Sequence, residues 1–270
     1  MSGPGRVHYP SSMDLRQSKF ILPNLFTLSS ILLGMWAILS CMSGTDLACR
    51  NAALAIILAA VADGIDGRVA RLTRTESAFG VELDSLADVL SFGMAPAVLA
   101  WVFALRHLDG HGGYVGTFLA FFYVACGALR LARFNVQAAR ARGPTGYFTG
   151  LPIPGGAGIV ATLCWTLVDL EVGEPIRTVL VGTGTVAMAL LMVSTVRYRN
   201  FKHVRVGFWG KAGILAVAGM LLVAVLKTHT SAVLLTLGLL YVVLGPAEWF
   251  GALVWRLIRP GRRPSHPRKW

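Results

Sequence analysis

Ala62 to Asp88 reads ADGIDGRVARLTRTESAFGVELDSLAD, and four carboxylates punctuate it: Asp63, Asp66, Asp84 and Asp88. The pattern is D-x-x-D-G-x-x-A-R, eight residues, then G-x-x-x-D-x-x-x-D. Apolar runs adjoin it on both sides, Ala52 to Ala62 and Val89 to Phe103. Carboxylates placed between such runs are costly and point to function. On a helix, Asp63 and Asp66 are i and i+3, and Asp84 and Asp88 are i and i+4, so each pair shares a face. Two such faces can converge, and four anions at one point repel unless cations join them. Oxygen-only ligands suit hard ions, Mg²⁺ or Mn²⁺ rather than zinc, and a pair of such ions serves displacement at phosphorus. Gly67 and Gly80 allow close backbone approach, Ala70 leaves room one turn after Asp66, and Arg71 offers a planar fork for phosphate or a base. The plainer reading, a charged loop between two helices, leaves this spacing unexplained.

Composition sets the surroundings. The chain has 270 residues, 55% of them hydrophobic and 14% charged, with a mean hydropathy of +0.63. That balance predicts an all-α, polytopic membrane bundle. The net charge of +12 is not a nucleic-acid footprint, because the basic residues gather between apolar runs instead of along one face. About eight spans are expected, near 22–41, 51 into the carboxylate stretch, 79–105, 114–133, 151–170, 178–196, 212–226 and 231–255. Gly93 and Pro96 allow a bend in the third. With both termini in the cytoplasm, 21 of the 25 lysines and arginines fall on the inner side. The outer loops keep Arg50, Arg106, Arg177 and Lys227 beside Asp46, Asp109, Asp169, Glu171 and Glu174. This bias orients the bundle and puts the aspartates at the cytoplasmic face. The division expected is a polar tail over 1–19, a catalytic core over 20–205, two further spans over 206–258 and a basic tail over 259–270. Cys41, Cys49, Cys126 and Cys164 lack metal-ligand spacing; Cys41 and Cys49 bracket one loop and could pair, though free thiols are the simpler expectation. Glu248, after Pro246, is expected to face the bundle.

The carboxylate stretch resembles, position for position, the signature of the CDP-alcohol phosphotransferase family of integral membrane enzymes. That resemblance implies two divalent cations and attack by an acceptor hydroxyl on the β-phosphorus of a CDP-linked substrate, with CMP leaving. It implies metal ligation by Asp63, Asp66, Asp84 and Asp88, with Asp88 also the general base. It places Asn24, Thr27, Gly67, Ala70, Arg71, Ser77 and Gly80 near the CDP-lipid; Ser30 stands where relatives often carry Asn or Arg. Four further stretches, Arg130-Leu-Ala-Arg133-Phe134-Asn135, the run FTGLPIP, LDSLADVLSFGMAPA and Arg197-Tyr-Arg199-Asn-Phe-Lys202, are similar to membrane-embedded phosphatidylserine synthases of bacteria and archaea. CDP-diacylglycerol and L-serine are then the implied substrates, and a homodimer the implied assembly. Arg130, Arg133, Asn135, Arg197, Arg199 and Lys202 become candidates for the acceptor or its phosphate, although each basic residue could equally anchor the inner interface. A sister enzyme acting on glycerol phosphate or inositol phosphate is the alternative, and a metal-ion transporter a remote one.

Overall fold

The computed structural model describes residues 15–73, 77–140, 147–199 and 230–258. The expected span over 212–226, Lys202 and both polar tails up to 14 and from 259 lie outside the described residues. Helices dominate: α1 Leu15–Cys41, α2 Asp46–Thr73, α3 Ala78–Asp88, α4 Ala95–Phe103, α5 Val115–Arg140, α6 Ile153–Asp169, α7 Ile176–Val193 and α8 Thr230–Ile258. One small addition to the all-helical expectation is an antiparallel ladder, β1 Tyr147–Thr149 against β2 Arg197–Arg199, with Thr149 opposite Arg197.

Among the described residues five helices are long and apolar enough to cross a bilayer: Asn24–Cys41, Asp46–Val69, Phe79–Phe103, Val115–Ala138 and Ile176–Val193. Ile153–Asp169 and Thr230–Val243 are apolar over shorter lengths. Large apolar side chains such as Leu32, Trp36, Phe118, Phe121 and Val179 face outward, while small ones, Ala52, Ala53, Ala55, Ala59, Ala157 and Ala161, fill the interior. Small residues inside let helices approach where lipid offers no hydrophobic drive, and the outer apolar surface suits a bilayer. The chain is a multi-pass membrane protein.

The second helix begins at Asp46, earlier than the expected 51, because Thr45 accepts the Ala48 N–H at 3.3 Å and Asp46 stands in the positive first turn. The expected span over 79–105 is an α–π–α run, with the π turn at Val89–Met94. Pro96 has no N–H, so the Phe92 carbonyl loses its helical donor. The buried Tyr123 hydroxyl of α5 donates to it at 3.3 Å. On the other side Ser91 Oγ donates to the Ser30 carbonyl at 2.9 Å. A Cβ on Gly34 would stand 2.9 Å from Ser91 Cα, so only glycine permits this crossing of α1 and the π turn.

The end of the bundle away from the carboxylates is closed by its own charges. Arg177, at the start of α7, meets Asp46 at 3.1 and 3.3 Å and lies over the Phe103 ring. Ser231 donates to Asp169, joining α8 to α6. Cys41 and Cys49 are free and buried. Asp109 caps α5, accepting from Gly116 N at 2.7 Å and from Trp101 Nε1 and Thr117 Oγ1 at 2.8 Å. Desolvation pushes its carboxyl up, but the hydrogen bonds from Trp101, Thr117 and Gly116 together outweigh that and hold it below the ordinary value. A depressed folded pKa stabilises above the unfolded value of about 3.9 and stops doing so as pH falls through the folded pKa. Asp109→Asn is therefore expected to lower Tm at pH 7 by a few degrees, with the gap to wild type closing in acid below the unfolded value. Thermal melts across pH check this; a gap independent of pH would refute it.

Candidate active site

Three carboxylates come together from two helices. Oxygens of Asp63 (α2), Asp84 and Asp88 (α3) all lie within 4.8 Å of one another. The local reasons are visible in the sequence. α2 runs unbroken through the first half of the carboxylate stretch, and Ser77 starts α3 by accepting the Gly80 N–H at 3.0 Å. Asp84 and Asp88 are then one turn apart on α3. Asp66 is on α2 three residues after Asp63, but its side chain, like those of Ala70 and Arg71, lies outside the described residues.

Asp88 is the last residue of α3, 9% exposed, and its Oδ1 has no hydrogen-bond partner. A buried carboxylate oxygen without a donor is costly unless a cation meets it. The oxygen-only donor set, its spacing and that orphaned oxygen fit a hard divalent ion held by Asp63, Asp84 and Asp88.

Near Asp88 is Arg130 of α5, 7% exposed, close enough for its charge to act on that carboxylate. Its guanidinium carbon lies 5.3 Å above the Phe134 ring one turn on, and its Nε has no hydrogen-bond partner. Stacking holds the group without using its donors.

The other residues named from the sequence divide by place. Asn24, Ser77 and Gly80 sit together: a Cβ on Gly80 would lie 3.2 Å from Ser77 Oγ and 3.7 Å from Asn24 Oδ1. Thr27, one turn into α1 from Asn24, is 6% exposed. Ser30 is buried at the π turn, its Oγ without a partner. Gly67 is on α2 one residue after Asp66. Asn135 reaches α3, its Nδ2 donating to Ser85 Oγ at 2.9 Å between the two aspartates. Arg133 donates to the carbonyls of Val193, Met192, Ser194 and Thr149 at 2.8–3.2 Å. Arg197 and Arg199 are on β2; their side chains, and that of Glu248 on α8, lie outside the described residues.

Three neighbours of the site were missed in the sequence. Ser85 stands one residue after Asp84 and carries no mark of its own. Tyr123 had a signal, since Pro96 frees a carbonyl that some donor must meet. Tyr241 of α8 lies near Arg130, and nothing in the sequence ties the two together.

The sequence profile of the CDP-alcohol phosphatidyltransferase family matches residues 20–190, which include every described residue of the carboxylate cluster and Arg130. Over 239 residues the chain is 38% identical to the CDP-diacylglycerol–serine O-phosphatidyltransferase of Helicobacter pylori, covering 87% of this chain and 93% of that protein. It is 33% identical over 181 residues to the protein of the same name from Bacillus subtilis, covering 67% of this chain and 91% of the relative. The one from Methanocaldococcus jannaschii is 34% identical over 177 residues, 66% of this chain and 73% of the relative.

Proposed function

This chain belongs to the CDP-alcohol phosphatidyltransferase family, and from that membership we propose that it moves the phosphatidyl group of CDP-diacylglycerol to the hydroxyl of L-serine, giving phosphatidylserine and CMP. The observation that carries the reading is the convergence of Asp63, Asp84 and Asp88, with the buried Arg130 of α5 beside them. The names of the relatives support serine as the acceptor.

Asn24, Thr27, Ser77 and Gly80 bind the CDP end, with Gly67, Ala70 and Arg71 along α2 beside it. Asp88 takes the proton of the acceptor hydroxyl. The oxygen then forms its bond to the β-phosphorus as the bond to CMP breaks. Arg130 meets an anionic group, the serine carboxylate or the diphosphate, with its fork. Two Mg²⁺ or Mn²⁺ ions, shared by Asp63, Asp66, Asp84 and Asp88, would supply neutralisation of the diphosphate and of the departing CMP. The basic bias of the inner segments supports a cytoplasmic active site in the cell membrane.

The test is CMP release by purified protein given CDP-diacylglycerol and Mg²⁺ or Mn²⁺, with L-serine, glycerol 3-phosphate or inositol phosphate in separate reactions. Release with serine alone is expected. Release with another acceptor alone would overturn serine but keep the family chemistry, and release with none would overturn the enzymatic reading.

A further inference from the structure

The last turn of α7 is capped by Ser194, and the carbonyls beyond that cap need donors from elsewhere. A helix leaves its final carbonyls unmet, and at membrane depth water cannot be relied on to meet them. Each has an identifiable partner here. Leu190 O accepts from Ser194 N at 3.0 Å, and Leu191 O from Leu151 N at 3.0 Å and Ser194 Oγ at 2.8 Å. Met192 O, Val193 O and Ser194 O are all met by Arg133, reaching across from α5. The same Nη2 also donates to Thr149 O, at the end of β1, at 3.2 Å. A cation at a helix C-terminus is further favoured by the helix dipole.

Gly150 completes the joint. Its φ is +80°, its N–H donates to Val196 O at 2.8 Å, and a Cβ there would fall 2.4 Å from Met192 O and 2.7 Å from Arg133 Nη2. Only glycine gives both the left-handed backbone and the room. Thr149, held by Arg133, is the register partner of Arg197. One guanidinium therefore ties α5, the end of α7 and the β1–β2 ladder, one turn beyond the arginine that lies near Asp88.

We propose that Arg133 is a positioning residue: with Gly150 it locks the β1–β2 ladder to the carboxylate end of the bundle, and so places strand β2, from Arg197 to Arg199, for the acceptor. This replaces a direct contact of Arg133 with the acceptor, and it rests on the proposed transferase reading. Arg130, stacked and with Nε unpartnered, keeps the substrate-facing part.

Arg133→Lys and Gly150→Ala test it in full-length purified protein. An ammonium is a point donor and cannot span four carbonyls, while the Gly150 change alters no charge. Two readouts are taken: the acceptor KM and kcat from CMP release, and amide hydrogen exchange of peptides covering 147–151 and 191–199. Both variants are expected to speed exchange in those peptides but not in α2 or α3. Both should raise the acceptor KM roughly tenfold to a hundredfold, the scale on which small misplacements act, with a smaller effect on kcat. A raised KM in the lysine variant alone would mean that Arg133 touches the acceptor, and would overturn the proposal. So would unchanged exchange in the ladder, unchanged KM with a loosened ladder, or exchange raised equally in α2 and α3. Wild-type protein that turns over another acceptor instead of serine would refute the serine reading, and that acceptor would then serve in the KM measurement; the exchange result stands without any turnover.

Discussion

Asp88→Asn is expected to reduce kcat for CMP release by about 10²–10⁴-fold, the range a positioned general base contributes, while CDP-diacylglycerol still binds. Asparagine keeps the size of the side chain and removes its charge and its basicity. Asp88 stands where that matters, at the junction of α3 and the π turn, with Asp63 and Asp84 within reach and Arg130 near it. Its Oδ1 has no protein donor, so that oxygen is free to accept a proton or to meet a cation. An asparagine nitrogen in its place would present a donor to two neighbouring carboxylates and could do neither. Turnover with L-serine and binding of CDP-diacylglycerol, measured on the same preparation, check this; wild-type turnover would refute Asp88 as the base. A Mn²⁺ titration of the variant adds a second reading, since a weakened midpoint is expected only if Asp88 is also a ligand.

Arg130→Ala should lower kcat/KM by about 10²–10³-fold, the scale on which loss of one preorganised donor to charge developing in the transition state acts. Arg130 is buried and its charge acts on Asp88, so alanine removes that charge from beside the carboxylate. Arg130→Lys is expected to recover only part of the loss. It restores charge without the planar fork or the stacking over Phe134. Steady-state kinetics of both variants decide it: equal, mild effects would mean that Arg130 is an interfacial anchor. The contrast with Arg133 is informative here, since the lysine variant there should act mainly on acceptor KM and on the ladder.

Much of this site could be read in the chain itself. The pairing of Asp63 with Asp66 and of Asp84 with Asp88 follows from helical period, and the apolar runs around them require a bilayer-spanning bundle. The charge bias separates Arg177 and Asp46 from the carboxylates, and the structure pairs those two with each other at the opposite end. Gly93 and Pro96 allowed for a bend in their helix, though not that it would be a π turn closed by Tyr123 and Ser91.

Period determines which face a residue occupies, and so put Arg130 and Arg133 on neighbouring positions of α5. It says nothing about which carbonyls are left open nearby. That depends on where α7 stops and how Gly150 lets β1 approach it, a matter of packing between segments far apart in sequence. For the same reason Asp63 meets Asp84 and Asp88 only once α2 and α3 have docked, and Asn135 finds Ser85 only because α5 lies beside α3. The residue types and their spacing along each helix were determined by the sequence alone. The partners of each polar group were decided by the tertiary structure, because a buried donor or acceptor must be met by whatever the fold brings within about 3 Å.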